Sequence, residues 1–373
     1  MMRKQFFAGA KSAALGGAAL LLAFSAVILF AYNTFQDNIG TVQAPQPVAS
    51  RWASLPVTWL LNPYIPPSQD NVNTSGCAIA PSSCIQQSLA NGFTTWISAT
   101  VNIQGTPQSL TDLSASYGGT SSVQTPDVTD CKNVVGFSDS ASDFSTGTVA
   151  FTELATVTAS QYSCSDGTIK ACPSGSCIAD ADIEFNPTEN FTISNSPPSG
   201  TFSLQSVATH EEGHLLGMDH SGIGHTVMFP FGDTTATGQQ LALASDDAIG
   251  ISSLYPCVNP ASGPSCTAKF STATGKISGT VTLNSAGTFG AHVVAIDTAT
   301  GDVVTDGLTA PDGSYTLVGV PPGNYNVLVL PLAPDANSGI ILLDDFSGWE
   351  CGYGDSNCSN IPQNPTNYTG RFF

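Results

Sequence analysis

The sequence predicts an α+β domain, with a helix that carries a histidine cluster, followed by a small all-β sandwich. Three observations predict it. Before residue 256, strand-like runs alternate with apolar residues at helical spacing, the pattern of a sheet with helices packed on it. Four of the five histidines fall between His210 and His225. Beyond a Pro/Gly/Ser hinge bracketed by Cys257 and Cys266, short strands are separated by turn residues.

Taken in order, residues 1–32 open with Arg3, Lys4 and Lys11 and then run almost wholly apolar from Ser12 to Tyr32. A basic start before an apolar core is an export signal, and the same stretch is long enough to serve as a membrane anchor. With the positive end inside, either version places the rest of the chain outside the cytoplasm. Residues 33–50, with Gln43-Ala-Pro-Gln-Pro, read as a linker by composition. Ile85, Leu89, Phe93, Trp96 and Ile97 recur at helical spacing, so 82–98 is an amphipathic helix. Asn133–Phe137 and residues 147–156 are strand-like, and 159–177 forms a disulfide-pinned hairpin or loop. Ser203 is a plausible N-cap for a helix that turns Leu204, Val207, Ala208 and Leu215 toward the core. Four further strands, at 276–283, 291–296, 313–318 and 324–330, build the sandwich of 268–333, and a tail of 334–373 follows the sandwich.

The histidine cluster reads His210-Glu-Glu-Gly-His214-Leu-Leu-Gly217-Met-Asp-His220. His210 and His214 stand four apart, so on a helix both imidazoles leave the same face and can share one metal. Glu211 adjoins the first ligand, where its carboxylate can take a proton from metal-bound water. Gly217 allows the left-handed turn that ends the helix and brings His220 round as third ligand. Three neutral imidazoles leave a fourth position open, as a catalytic zinc site requires. His225 has no place in this ligand pattern and reads as an exposed turn residue. Glu212 reads as a solvated carboxylate, and His292, in a distant strand, as structural.

This stretch resembles the metzincins and, within them, the matrixins, whose third histidine is followed by serine, as His220 is by Ser221. Met228 looks like the family's Met-turn, which supports the metal site from beneath. Arg51–Asn62 is similar to the family's first strand, Ala179–Asn186 to the strand before the active-site helix, and Ser245–Tyr255 to the final helix. The resemblance covers roughly 51–256 and implies a twisted mixed sheet with an active-site helix. It also implies an exported zinc metalloendopeptidase acting on extended protein or peptide substrates, with one catalytic Zn2+. Substrate would pair along the 147–156 strand at Ala150 and Phe151, with Phe229 and Pro230 lining a specificity pocket. The chain departs from the family in two ways. Residues 1–50 contain no cysteine to bind the metal in a latent form, and no histidine precedes His210 to build a second zinc site. Asp180, Asp182, Glu184 and Glu189 offer oxygen ligands for Ca2+, or are simply exposed acidic residues. The 268–333 strands are similar to the carboxypeptidase-regulatory-like, transthyretin-type sandwich, a stability or attachment module.

Composition agrees with export. Ten cysteines, several close in sequence (Cys77 with Cys84, Cys172 with Cys177, Cys257 with Cys266, Cys351 with Cys358), read as disulfides. A net charge of −19 disfavours nucleic acid and anionic surfaces, so membrane contact would come only through residues 12–32, if uncleaved. Two rival readings stand beside the peptidase. One is a binding or adhesion protein on an inactive metzincin scaffold that retains its zinc. The other is a structural zinc site closed by His225 or Asp219.

Overall fold

The computed structural model describes residues 33–62, 72–121, 127–138, 144–232, 240–260, 266–332, 343–355 and 358–362. It also describes the backbone of three short strands, Lys4–Gln5, Phe7–Ala10 and Arg371–Phe372. The apolar stretch 12–32, expected as signal or anchor, lies outside the described residues. Among those described, no helix is long and apolar enough to cross a membrane.

The fold is α+β. A six-stranded mixed sheet runs in the order Phe7–Ala10, Ala150–Val157, Cys177–Phe185, Asn133–Phe137, Val57–Leu61, Ala115–Thr120. Ala150–Val157 is antiparallel to Cys177–Phe185, and the other neighbouring pairs are parallel. The two central strands, Cys177–Phe185 and Asn133–Phe137, are buried along their whole length, as expected where a sheet is covered on both faces. Polar residues on them are therefore committed to the backbone. Asp182 accepts the amides of Val134 (2.7 Å) and Asp127 (2.9 Å), and Asp180 accepts that of Cys131 (2.5 Å). Burial pushes Asp180 up to about 7 and Asp182, which also feels the charge of Asp180, up to about 8. Among the described residues, no three carboxylates of the set considered for Ca2+ converge within 4.8 Å.

Helix α1 (Pro81–Ile97) forms where the apolar spacing placed it, and buries Ile85, Leu89, Phe93 and Trp96. Proline in its first turn loses no helical hydrogen bond there. Phe93 stacks on Trp59 of the sheet at 5.1 Å. The Trp96 indole N–H donates to the Thr209 carbonyl (2.7 Å), which locks α1 to α2 (Leu204–Leu215). Helix α3 (Ser245–Leu254) closes this part of the chain.

Residues 33–50, expected as a linker, are folded. Gln36–Asn38 and Pro47–Ala49 form a hairpin, and the Phe35 amide donates to the Gly217 carbonyl (3.0 Å). Composition pointed to a linker because the partners of this hairpin lie far along the chain. Beyond residue 266, Gly275–Thr280 pairs with Ser314–Val320, while Val303–Leu308, His292–Asp297, Tyr325–Leu330 and Arg371–Phe372 form a four-stranded sheet. This region shares one apolar core with the preceding domain. A buried polar joint adds to it, in which the Asp306 amide donates to Asp246 (2.9 Å) and the Asp306 carboxylate accepts from Gly222 (2.8 Å) and pairs with His292 (2.6 Å). His292 is structural, as expected. All ten cysteines are paired: the four sequence-near pairs, and Cys131 with Cys164.

Candidate metal centre

The centre is built on α2. The Ser203 hydroxyl caps its first turn by accepting the Ser206 amide (3.3 Å), and the helix places His210 and His214 one turn apart. Gly217 takes φ +100° immediately after it, and a Cβ there would meet the Ser50 carbonyl at 2.6 Å, so only glycine fits the turn. That turn brings His220 back to the helix. The Nε2 atoms of His210 and His220 lie 3.1 and 3.2 Å from that of His214.

The other ring nitrogens explain what these three faces can do. Nδ1 of His210 meets the Val227 carbonyl (2.6 Å), Nδ1 of His214 meets the Met218 carbonyl (2.8 Å), and Nδ1 of His220 meets the Asp345 carbonyl. A carbonyl can only accept, so each Nδ1 carries the hydrogen and each Nε2 of a neutral ring is a bare lone pair. The rings are neutral near pH 7. Burial first, then the neighbouring imidazolium charge of His220, lowers His210 to about 3; burial lowers His220 to about 4 and His214 well below its ordinary value. Three bare lone pairs converging inside the protein repel one another unless a cation lies between them, and an all-imidazole set suits zinc.

Glu211 is buried beside them. One carboxylate oxygen accepts the Thr152 hydroxyl (2.8 Å), the other has no protein partner, and burial pushes the group up to about 8. A bound cation would draw it back down. Met228 lies under the helix, with its sulfur where a Cβ on Gly213 would be (2.3 Å). Its loop is hung from Asp247, whose carboxylate accepts the amides of Val227 (2.9 Å) and Met228 (3.1 Å).

Other sequence expectations meet the structure differently. Glu212, expected to be solvated, is completely buried where α1 crosses at Gly92. Its oxygens have no hydrogen-bond partner, and burial raises it far above the usual carboxylate range. His225 is exposed at φ +70°, as an open turn residue should be. Both oxygens of Asp219 are occupied, by the His220 amide (2.8 Å) and the Trp349 amide (2.6 Å), which removes it as a fourth ligand. Ala150 is buried, and the Phe151 ring packs on Phe144 at 4.9 Å. Their strand is not the outermost, because Phe7–Ala10 adds alongside it in parallel, from Phe151 opposite Phe7 to Leu154 opposite Ala10. Phe229 packs on an apolar cluster that includes Phe346 and Trp349, and Pro230 is buried. Sequence reasoning missed Thr152, Asp247, Asp345 and Trp349. Only Asp247 left a signal, as an acidic residue in the first turn of a helix.

Residues 85–256 match the family model described as Matrixin. The chain is similar to Metalloendoproteinase 2-MMP of Arabidopsis thaliana, 37% identical over 115 residues that cover 28% of each chain. It is 41% identical to Stromelysin-3 of Xenopus laevis over 81 residues, and 36% identical to Karilysin of Tannerella forsythia over 83 residues. In both cases 22% of this chain and 16% of the relative are covered. The chain thus spans between 16% and 28% of the length of these relatives. The histidine triad, the glycine turn and the methionine beneath them all fall within the matched segment, so the chain contains a matrixin-like metzincin domain.

Proposed function

We propose that the chain is an exported zinc metalloendopeptidase that hydrolyses peptide bonds of extended protein substrates. The observation that carries this reading is the convergence of three bare Nε2 lone pairs beside the half-partnered carboxylate of Glu211. His210, His214 and His220 would hold the metal. Bound zinc would polarise the scissile carbonyl and acidify a water. Glu211 would accept a proton from the attacking water and pass it to the leaving amine, with Thr152 aiming the carboxylate. Met228 supports the helix from below and has no chemical step of its own. The catalytic unit is 51–256, with the hinge at 257–267 and the transthyretin-type sandwich at 268–333. Five disulfides favour an oxidising compartment outside the cytoplasm. Asp180 and Asp182 are engaged by backbone amides, so zinc is the metal this reading carries.

Substrate would pair along Ala150–Val157 as an added strand, with Phe229 and Pro230 on the pocket side. The position along that strand is taken by residues 7–10, so their removal with the export signal belongs to this reading. No specific observation favours the inactive-scaffold alternative, since the three histidines and Glu211 that turnover would require are all retained.

The test is cleavage of an unfolded protein by the chain from Asn33 onward, with Glu211→Ala and a chelator as controls. Starting at Asn33 retains the hairpin bonded to the metal turn. Wild-type cleavage should fall about 10²- to 10⁴-fold in Glu211→Ala while one zinc per chain stays bound. Full activity in that variant would sink Glu211 as the base. Zinc binding with no cleavage by the wild type would favour the binding scaffold.

A further inference from the structure

The three ligand histidines are not held in the same way. Nδ1 of His210 and of His214 is bonded to carbonyls 17 and 4 residues away, within the metal-binding stretch itself. Nδ1 of His220 is bonded to a carbonyl 125 residues away, that of Asp345. A second bond comes from the same segment. The Trp349 amide donates to one oxygen of Asp219 (2.6 Å), whose other oxygen accepts the backbone amide of His220 (2.8 Å). Leu343–Tyr353, a single stretch of helical turns, thus holds the His220 ring directly and its backbone amide through Asp219, while the His220 carbonyl accepts from the Asn33 side chain (3.0 Å).

That stretch is itself anchored firmly. Phe346, Trp349 and Tyr353 are buried, and Trp349 stacks on Phe289 at 5.4 Å and 19°. Phe289 belongs to the β-rich C-terminal region, so the anchor runs from that region through the tail to the third histidine.

We propose that Leu343–Tyr353 is a positioning segment of the metal centre: the Asp345 carbonyl selects the tautomer and orientation of His220, and Trp349 keeps that carbonyl in place. The inference deepens the metal-site reading and rests on His220 being a ligand. Outer-shell partners of this kind fix ring orientation and raise ligand basicity, and losing one typically costs about 10- to 100-fold in metal affinity. The Phe289–Trp349 contact then carries the support of a ligand, a role that the rest of the sandwich, Leu317 included, does not share.

The experiment is competition between full-length protein and a chromogenic chelator for zinc, comparing the wild type with Trp349→Ala, His220→Ala and Leu317→Ala. Leu317 is a fully buried residue of the Ser314–Val320 strand and controls for general loosening of the sandwich. The expected result is zinc binding about 10- to 100-fold weaker in Trp349→Ala, with Leu317→Ala close to wild type. The cobalt-loaded Trp349→Ala variant should also show an altered visible spectrum. Equal affinities for Trp349→Ala and Leu317→Ala would overturn the inference and leave the metal site standing. A wild type that fails to bind zinc, or a His220→Ala variant that binds it normally, would overturn the metal site and this inference together. Should Trp349→Ala not fold, amide exchange in the wild type gives the answer by linkage. Zinc should slow exchange across 343–353 in the wild type but not in His220→Ala. Unchanged exchange in zinc-loaded wild type would overturn the proposal.

Discussion

Glu211 and Glu212 are consecutive on α2, and both are buried, but only the Glu211 carboxylate has a hydrogen-bond partner. The Thr152 hydroxyl lowers Glu211 against the upward push of burial, so its loss should raise that carboxyl further. In Thr152→Val, the acid limb of the kcat/KM profile should therefore move to higher pH, with kcat down by about 10-fold at neutral pH and KM little changed. An acid limb that stays in place would deny Thr152 this role. The histidine triad was legible because its spacing is local: one helical turn, one glycine, one return. Thr152 was not, since it reaches Glu211 from a strand 59 residues earlier, and alternation along a strand does not reveal what a hydroxyl faces. Glu212 misled for a related reason. A charged residue on a helix is usually solvated, and only the close crossing at Gly92 buries it.

At the scale of elements, the strand Ala150–Val157 carries the most consequence. The family resemblance likened it to the edge strand beside the cleft; the parallel addition of Phe7–Ala10, which takes that edge, could not be anticipated because residues 1–32 read as an export signal. Backbone pairing along four residues competes directly with a peptide that needs the same amides and carbonyls. Chain retaining residues 1–32 should show a KM for a peptide substrate at least about 10-fold above that of the chain from Asn33, with kcat at saturation preserved. Equal KM values would show that residues 7–10 leave the strand free in solution. Helices α1 and α2 formed within a residue or two of where apolar spacing and the Ser203 cap placed them, and α3 where the family resemblance put the final helix. The 36–49 hairpin and the 343–353 turns were illegible because their stabilising contacts lie far away in sequence.

For the whole molecule, buried acids set the pH dependence of stability. Asp180 and Asp182 ionise near pH 4 in the unfolded chain but only near 7 and 8 in the folded one. Between those limits the folded state retains protons that the unfolded state has released, so stability falls as pH rises from about 4 to about 8. Replacing Asp182 by Asn should lower stability throughout, since an amide cannot accept both the Val134 and the Asp127 amide. It should also flatten the decline, read as the urea midpoint at a series of pH values with zinc saturating. A slope as steep as that of the wild type would rule out Asp182 as a source. The joint between Asp306, Asp246 and Gly222 makes these effects global, because it ties the C-terminal strands to the segment that follows His220.

The 125 residues between His220 and Asp345 also separate two moments in the life of the chain. A polypeptide that leaves the ribosome or crosses a membrane N-terminus first presents His210, His214 and His220 well before the carbonyl that orients the last of them has arrived. On the proposed role of Leu343–Tyr353, the unfinished chain holds two oriented ligands and one free to turn. On that role, its hydrolytic power would be withheld until the stretch around Asp345 has emerged and folded back onto His220.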